Sequence, residues 1–183
     1  TLTSKILGTM FLKGASLEES VETIIKTLPV SQKRQVAYST FSILQVFRDG
    51  RAYLVEFDNP TCLLIRDGVP TPIPFGSRRI EGKLIRETRF NVRTGDTYIL
   101  VSDGAIHAGV GSVLNFGWQL PEIIDYAQRS WKPDLSAKGM AAAISDACRD
   151  LSMDRPGDDT TVAALRLRRR AQVDLMIGPP ADP

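Results

Sequence analysis

The sequence predicts an α+β domain, a sandwich of mainly antiparallel sheets with helices outside it. Three observations lead there. From Val36 to Val101 apolar residues recur at every second position in short runs divided by Asp-Gly, Asn-Pro and Gly-Asp dipeptides, the pattern of strands joined by turns. Apolar residues at helical spacing occupy the stretches before and after those runs. A last strand-like run, Thr160 to Leu167, then brings the chain back to a sheet.

Thr1 to Lys13 reads as helix from its first residues, with Leu2, Ile6, Met10 and the neighbouring Leu7 and Phe11 on an apolar face. Gly14 ends it. Ser16 and Glu19 have the spacing of a capping box, in which the hydroxyl accepts from the amide three residues on and the carboxylate reaches back. The helix they open carries Leu17, Val21, Ile24, Ile25 and Leu28 on one stripe until Pro29 stops it.

Val36 to Phe47 has strand character with two usable faces. Val36, Tyr38, Leu44 and Val46 fall on one, and Ala37, Phe41, Ile43 and Phe47 on the other, as expected of a strand covered on both sides in an inner layer. Asp49-Gly50 turns the chain into Ala52 to Phe57, Asn59-Pro60 into Cys62 to Ile65, and Asp67-Gly68 into a proline-rich edge segment. Together these read as an antiparallel meander, with Asp58-Asn59-Pro60 as a hairpin turn or, as the second reading, a turn that faces a functional site. Further strands are expected from Lys83 to Val92 and from Thr97 to Val101, joined by Thr94-Gly95-Asp96. After Asp103 the spacing is helical: Leu120, Ile123, Ile124, Ala127 and Trp131 share one face, Met140, Ile144, Ala147, Cys148 and Leu151 another, with Pro133 between the two helices.

From Arg168-Arg169-Arg170 onward the pattern decays toward Gly178-Pro179-Pro180. Residues 1–168 are therefore the expected domain, and residues 169–183 a linker or the start of a further element. The three arginines read as a solvated edge. A chain of 183 residues is one domain's length, and 43% apolar with 24% charged residues excludes wholesale disorder. A net charge of +2 points to neither nucleic acid nor a membrane surface, and no apolar run approaches the ~20 residues that span a bilayer. Cys62 and Cys148 lack CxxC spacing and sit in apolar surroundings, so they read as buried reduced thiols, as suits a cytoplasmic protein.

The chemistry is expected where apolar strands end in carboxylates. Tyr98-Ile99-Leu100-Val101-Ser102 runs into Asp103-Gly104, and Pro156-Gly157-Asp158-Asp159 runs into Thr160-Thr161-Val162. A carboxylate at a strand end sits on a stiff backbone yet faces solvent, and hard divalent cations take oxygen ligands while keeping several waters. Asp-Gly is also a common turn dipeptide, and Asp158-Asp159 before a strand also suits a plain loop cap.

Taken together and in this order, the two motifs resemble the C-terminal motif pair of the metal-dependent protein phosphatases of the 2C type. Asp158-Asp159-Thr160-Thr161, with Asp-Asp where many members have Asp-Asn, resembles the branch of sporulation stage II protein E. The resemblance implies a four-layer α/β/β/α sandwich. It also implies a serine/threonine phosphatase in which two Mn2+ or Mg2+ ions activate a water for in-line attack on phosphorus. By position, Asp103 and Asp158 would be direct metal ligands and catalytic, with Asp159 supporting the site or binding a metal water, and Gly104 and Gly157 allowing tight turns beside it. His107, the sole histidine, has two readings: a phosphate contact or proton donor to the leaving oxygen, or a loop residue bonded to backbone. The glycines at 109 and 111 suit a substrate-facing flap or a turn.

The resemblance further implies a phosphorylated regulatory protein, of the anti-anti-sigma kind, as substrate and partner. It places another metal motif, with an aspartate bridging both ions, before Thr1, so that this chain by itself is expected to bind metal weakly and turn over poorly. A non-catalytic interaction module with the same sandwich, or a hydrolase of small phosphoesters, are the competing readings.

Overall fold

The computed structural model describes residues 2–27, 40–155 and 157–168. Two helices come first, α1 (Leu2–Leu12) and α2 (Leu17–Thr27). They are followed by strands β1 (Phe41–Val46), β2 (Arg51–Phe57), β3 (Leu63–Arg66), β4 (Val69–Pro70), β5 (Gly76–Ile80), β6 (Lys83–Asn91) and β7 (Thr97–Val101). A short α3 (Asp103–Ile106), α4 (Leu120–Ser130), α5 (Ala137–Leu151) and β8 (Val162–Arg166) complete the order. The strands form two antiparallel sheets: β1-β2-β6-β5, called here the first sheet, and β4-β3-β7-β8, the second.

Three apolar layers hold four layers of structure together. Leu17, Val21, Ile24 and Ile25 of α2 pack on Phe41, Tyr53, Val55, Phe57 and Ile85 of the first sheet. Leu54, Leu44 and Phe90 on the opposite face of that sheet meet Cys62, Leu64 and Tyr98 of the second. Leu63, Ile65, Ile99 and Val101 then face Ile123 and Ala127 of α4 and Met140, Ile144 and Cys148 of α5. The expected α/β/β/α sandwich is thus the observed one, and β1 is covered on both faces as its two-sided pattern predicts.

Local chemistry explains several boundaries. Glu19 accepts from the Ser16 amide at 2.7 Å while the Glu19 amide donates to the Ser16 hydroxyl at 3.2 Å, which is the expected reciprocal cap. Asp67 and Gly68 both take left-handed φ, 51° and 79°, and close the β3–β4 hairpin as a two-residue turn. Glu81 (48°) and Gly82 (76°) do the same between β5 and β6.

Three expectations change. The strands flanking Asp58-Asn59-Pro60 do not form a hairpin: β2 lies in the first sheet and β3 in the second, so this turn carries the chain across the sandwich. The reason is Glu56, buried at the end of β2, whose carboxylate accepts from the Cys62 amide at 2.6 Å and so draws the start of β3 over itself. Strand β5 is an addition, hidden in sequence by the charge of Arg78 and Arg79 and signalled only by the Glu81-Gly82 turn. Helix α1 buries none of its residues among the described part; Ile6 and Leu7 pack partly on the α2 layer, but Leu2 and Phe11 stay exposed. The Val36 to Tyr38 part of the first expected strand, Leu28 with Pro29, and residues 169–183 lie outside the described residues.

Candidate active site

Strand β7 ends at Val101 and the chain turns at once into α3, so that Asp103 opens a helix at the end of an inner strand, exposed to solvent. Strand β8 begins at Val162, directly opposite Val101. The register of two neighbouring strands therefore brings residues 103 and 158–161 to one end of the second sheet, although they are far apart in sequence.

Ser102 fastens that end. Its amide donates to the Thr161 carbonyl at 2.9 Å, and its hydroxyl accepts from the Thr161 amide at 2.9 Å while donating to the Asp159 carbonyl at 3.2 Å. Gly104 packs against the same carbonyl: a Cβ there would stand 2.8 Å from the Asp159 carbonyl carbon and nearer still to its oxygen. Gly104 is needed for this close approach and not for a turn, since it does not take a left-handed φ, whereas a Cβ added at Gly157 meets nothing within 4 Å.

Asp103, Asp158 and Asp159 are all exposed. The Asp103 Oδ1 accepts from the Gly104 amide at 3.0 Å and the Asp158 Oδ1 from the Asp159 amide at 2.8 Å, which orients each carboxylate over its own turn. None of the three forms an ion pair among the described residues. His107 is exposed and caps α3, its amide donating to the Asp103 carbonyl at 3.0 Å, so it stands one turn after Asp103.

The loop that follows is anchored. Gly109 is buried with φ 82°, its amide donates to Ser152 at 3.3 Å, and its carbonyl accepts from the amides of Ser112, Val113 and Leu114. Gly111 has no atom near an added Cβ. Val110, Val113 and Phe116 of this segment are exposed.

The first sheet reaches the same end through the turn after β2. The Asn59 side chain donates to Ser42 Oγ at 2.8 Å and to the Val101 carbonyl at 3.3 Å. Beside it, a cleft of about 560 Å³ is lined by Glu56, Phe57, Asp58, Asn59, Leu84 and Arg86. Burial pushes the Glu56 carboxyl above the usual range, while the Cys62 amide, Arg86 at 3.5 Å and the Thr61 hydroxyl act against that. Ser102 and Glu56 are the residues that motif reading passes over, and Asn59 is read there chiefly as part of a turn. Glu56 alone leaves a clear trace, a single acidic residue inside the apolar run Ala52 to Phe57.

Chemically, these residues offer carboxylate oxygens on a stiff frame. Among the described residues no group of three or more His, Cys, Asp or Glu is gathered to hold a metal ion. Exposed carboxylate oxygens at one sheet end are of the type that a hydrated hard cation takes as ligands while it completes its shell with water or phosphate oxygens.

Residues 1–168 match the family model described as stage II sporulation protein E (SpoIIE). Among solved structures, the phosphatase domain of the cell fate determinant SpoIIE from Bacillus subtilis, presoaked with manganese, is similar at 16% identity and a TM-score of 0.62, over 92% of this chain and 74% of that one. The RsbU and RsbW domains of a Mycobacterium tuberculosis protein are similar at 22% identity and a TM-score of 0.64, over 91% of this chain and 46% of that one. The PPM Ser-Thr phosphatase MsPP of Mycobacterium smegmatis, in complex with cacodylate, is similar at 18% identity and a TM-score of 0.60, over 90% and 80%. These likenesses establish the fold as that of PP2C-type phosphatase domains. No curated protein sequence matches the chain significantly.

Proposed function

The chain belongs to the stage II sporulation protein E family, and from that premise we propose that it is a metal-dependent serine/threonine protein phosphatase, hydrolysing phosphoserine or phosphothreonine on a bacterial regulatory protein. The observation that carries this reading is the family match across residues 1–168, which includes both carboxylate motifs. The clip between Ser102 and residues 159–161 supports it, because it ties the strand end that precedes Asp103 to the backbone that follows Asp158.

In this reading Asp103 and Asp158 would hold Mn2+ or Mg2+, with Asp159 supporting the site or binding a metal water. The bound ions would supply charge neutralisation at the phosphoryl group and a water acidified enough to attack it. The protein's own work is placement. The Asp103 carboxylate is kept over its turn by the Gly104 amide, Gly104 gives the Asp159 carbonyl room to approach, and Ser102 keeps the two strand ends in register. His107, one turn after Asp103 and open to solvent, would in this reading donate a proton to the leaving serine or threonine oxygen. The substrate would be a phosphorylated regulator of the anti-anti-sigma kind, met in the cytoplasm. The joining of RsbU and RsbW domains in the similar M. tuberculosis protein is in keeping with such a regulatory setting.

The test is phosphate release from a phosphoserine protein by the natural polypeptide that contains this chain, with and without Mn2+, beside an Asp103→Asn variant. Metal-dependent release that drops at least ~100-fold in the variant is the expected result. A folded wild type that releases no phosphate from any of several phosphoproteins would instead make the domain an interaction module. Preference for a small aryl phosphate over a phosphopeptide would indicate a small-molecule hydrolase.

A further inference from the structure

Asn59 stands in a turn, where asparagine is common because it tolerates left-handed backbone. That explanation does not apply here. The left-handed residue of this turn is Asp58, with φ 47°, and Asn59 itself does not take a positive φ. What distinguishes Asn59 is its side chain, which spends both amide hydrogens on two different sheets. One goes to Ser42 of β1 in the first sheet at 2.8 Å and the other to the carbonyl of Val101, the last residue of β7 in the second, at 3.3 Å. A carbonyl oxygen only accepts, so the nitrogen of the carboxamide must face Val101. The Oδ1 atom then lies 3.5 Å from the Thr40 hydroxyl.

Val101 is two residues before Asp103. The strand end that carries Asp103 is therefore gripped from two directions: by Ser102 toward residues 159–161 within its own sheet, and by Asn59 toward the first sheet. We infer that Asn59 is a positioning residue for Asp103, a polar tie between the sheets that sets where this carboxylate stands relative to the Asn59-lined cleft; what Asp103 does there rests on the phosphatase reading. The tie needs a donor of this length. An aspartate at position 59 has the same shape, yet it would set an acceptor against the Val101 carbonyl and break the connection.

The experiment uses the natural polypeptide that contains this chain and its variants Asn59→Ala and Asn59→Asp. Amide hydrogen exchange of the metal-free protein is followed at Ser102, with Leu54 and Ile24 as internal references in the core, and Mn2+ binding is followed by the electron paramagnetic resonance signal of free Mn2+. Both variants should exchange Ser102 about tenfold faster while the reference amides keep their wild-type rates. Their half-saturating Mn2+ should rise about 10–100-fold, the range typical of residues that orient metal ligands from behind. Wild-type exchange at Ser102 in either variant overturns the tie, and so does faster exchange spread evenly over the domain, which marks a general structural role. Wild-type Mn2+ affinity alongside faster Ser102 exchange overturns the link from the tie to Asp103's work. A wild type that binds no Mn2+ and releases no phosphate counts against the phosphatase reading instead, and Ser102 exchange still decides whether Asn59 holds the strand end.

Discussion

Gly104 and Gly157 look equivalent in sequence, each beside an aspartate at a strand end, yet their surroundings differ. Gly104 is buried with the Asp159 carbonyl against its Cα, whereas nothing lies within 4 Å of a Cβ added at Gly157. Gly104→Ala should therefore force the Asp159 loop outward and destabilise the domain by about 1–3 kcal/mol, as overpacking does. Gly157→Ala should stay within about 0.5 kcal/mol of wild type. Urea unfolding of both variants checks this, and equal stabilities would mean that the Asp159 loop yields freely. At this scale the carboxylates were legible as a motif pair, but Ser102 was not, because a serine before Asp-Gly carries no signal until its strand partner is known.

Among elements, the second sheet contains a polar tie of its own. Asp96 is buried between β6 and β7 and receives Arg66 of β3 through two bonds of 2.8 and 2.7 Å, the Arg93 amide at 2.8 Å and the Tyr98 hydroxyl at 2.9 Å. Burial alone would push its carboxyl up, but these donors outweigh it and hold the group below the ordinary value of 3.8. A carboxylate with a depressed folded pKa stabilises the fold above its unfolded value and loses that contribution as pH falls through the folded one. Wild-type stability should thus decline as pH drops below 3.8. Asp96→Asn, which leaves Arg66 without its charge partner, should lose about 3 kcal/mol at neutral pH and show a flatter decline in acid. Urea titrations at a series of pH values measure both; an unchanged acid slope would assign the loss to other carboxylates. The same Asp96 reads from sequence as one residue of a Thr94-Gly95-Asp96 turn, which is right about its place and silent about its partners. Helix α2 shows the opposite case, since both halves of its cap lie within four residues and were readable in full.

For the whole molecule, the layers dictate reactivity. Cys62 lies between the two sheets and Cys148 between the second sheet and the outer helices, and both are free thiols. Burial, with Glu56 nearby, pushes Cys62 up to about 12, and burial pushes Cys148 up to about 11. A thiol reagent at pH 8 should then label neither in the folded protein within minutes and both after denaturation; rapid native labelling would contradict the layer assignment. Sequence alone determined the helices, most strands, the α2 cap, the burial of both thiols and the α+β class, because each follows from side-chain periodicity or from contacts a few residues apart. Which strands share a sheet, the crossing at Asn59-Pro60 and the meeting of the β7 and β8 ends that carry Asp103 and residues 158–161 were decided only by tertiary structure. Those features depend on hydrogen bonds between residues 42 and 57 positions apart, Asn59 with Val101 and Ser102 with Asp159, and periodicity records whether a side chain is buried but not which distant backbone it meets.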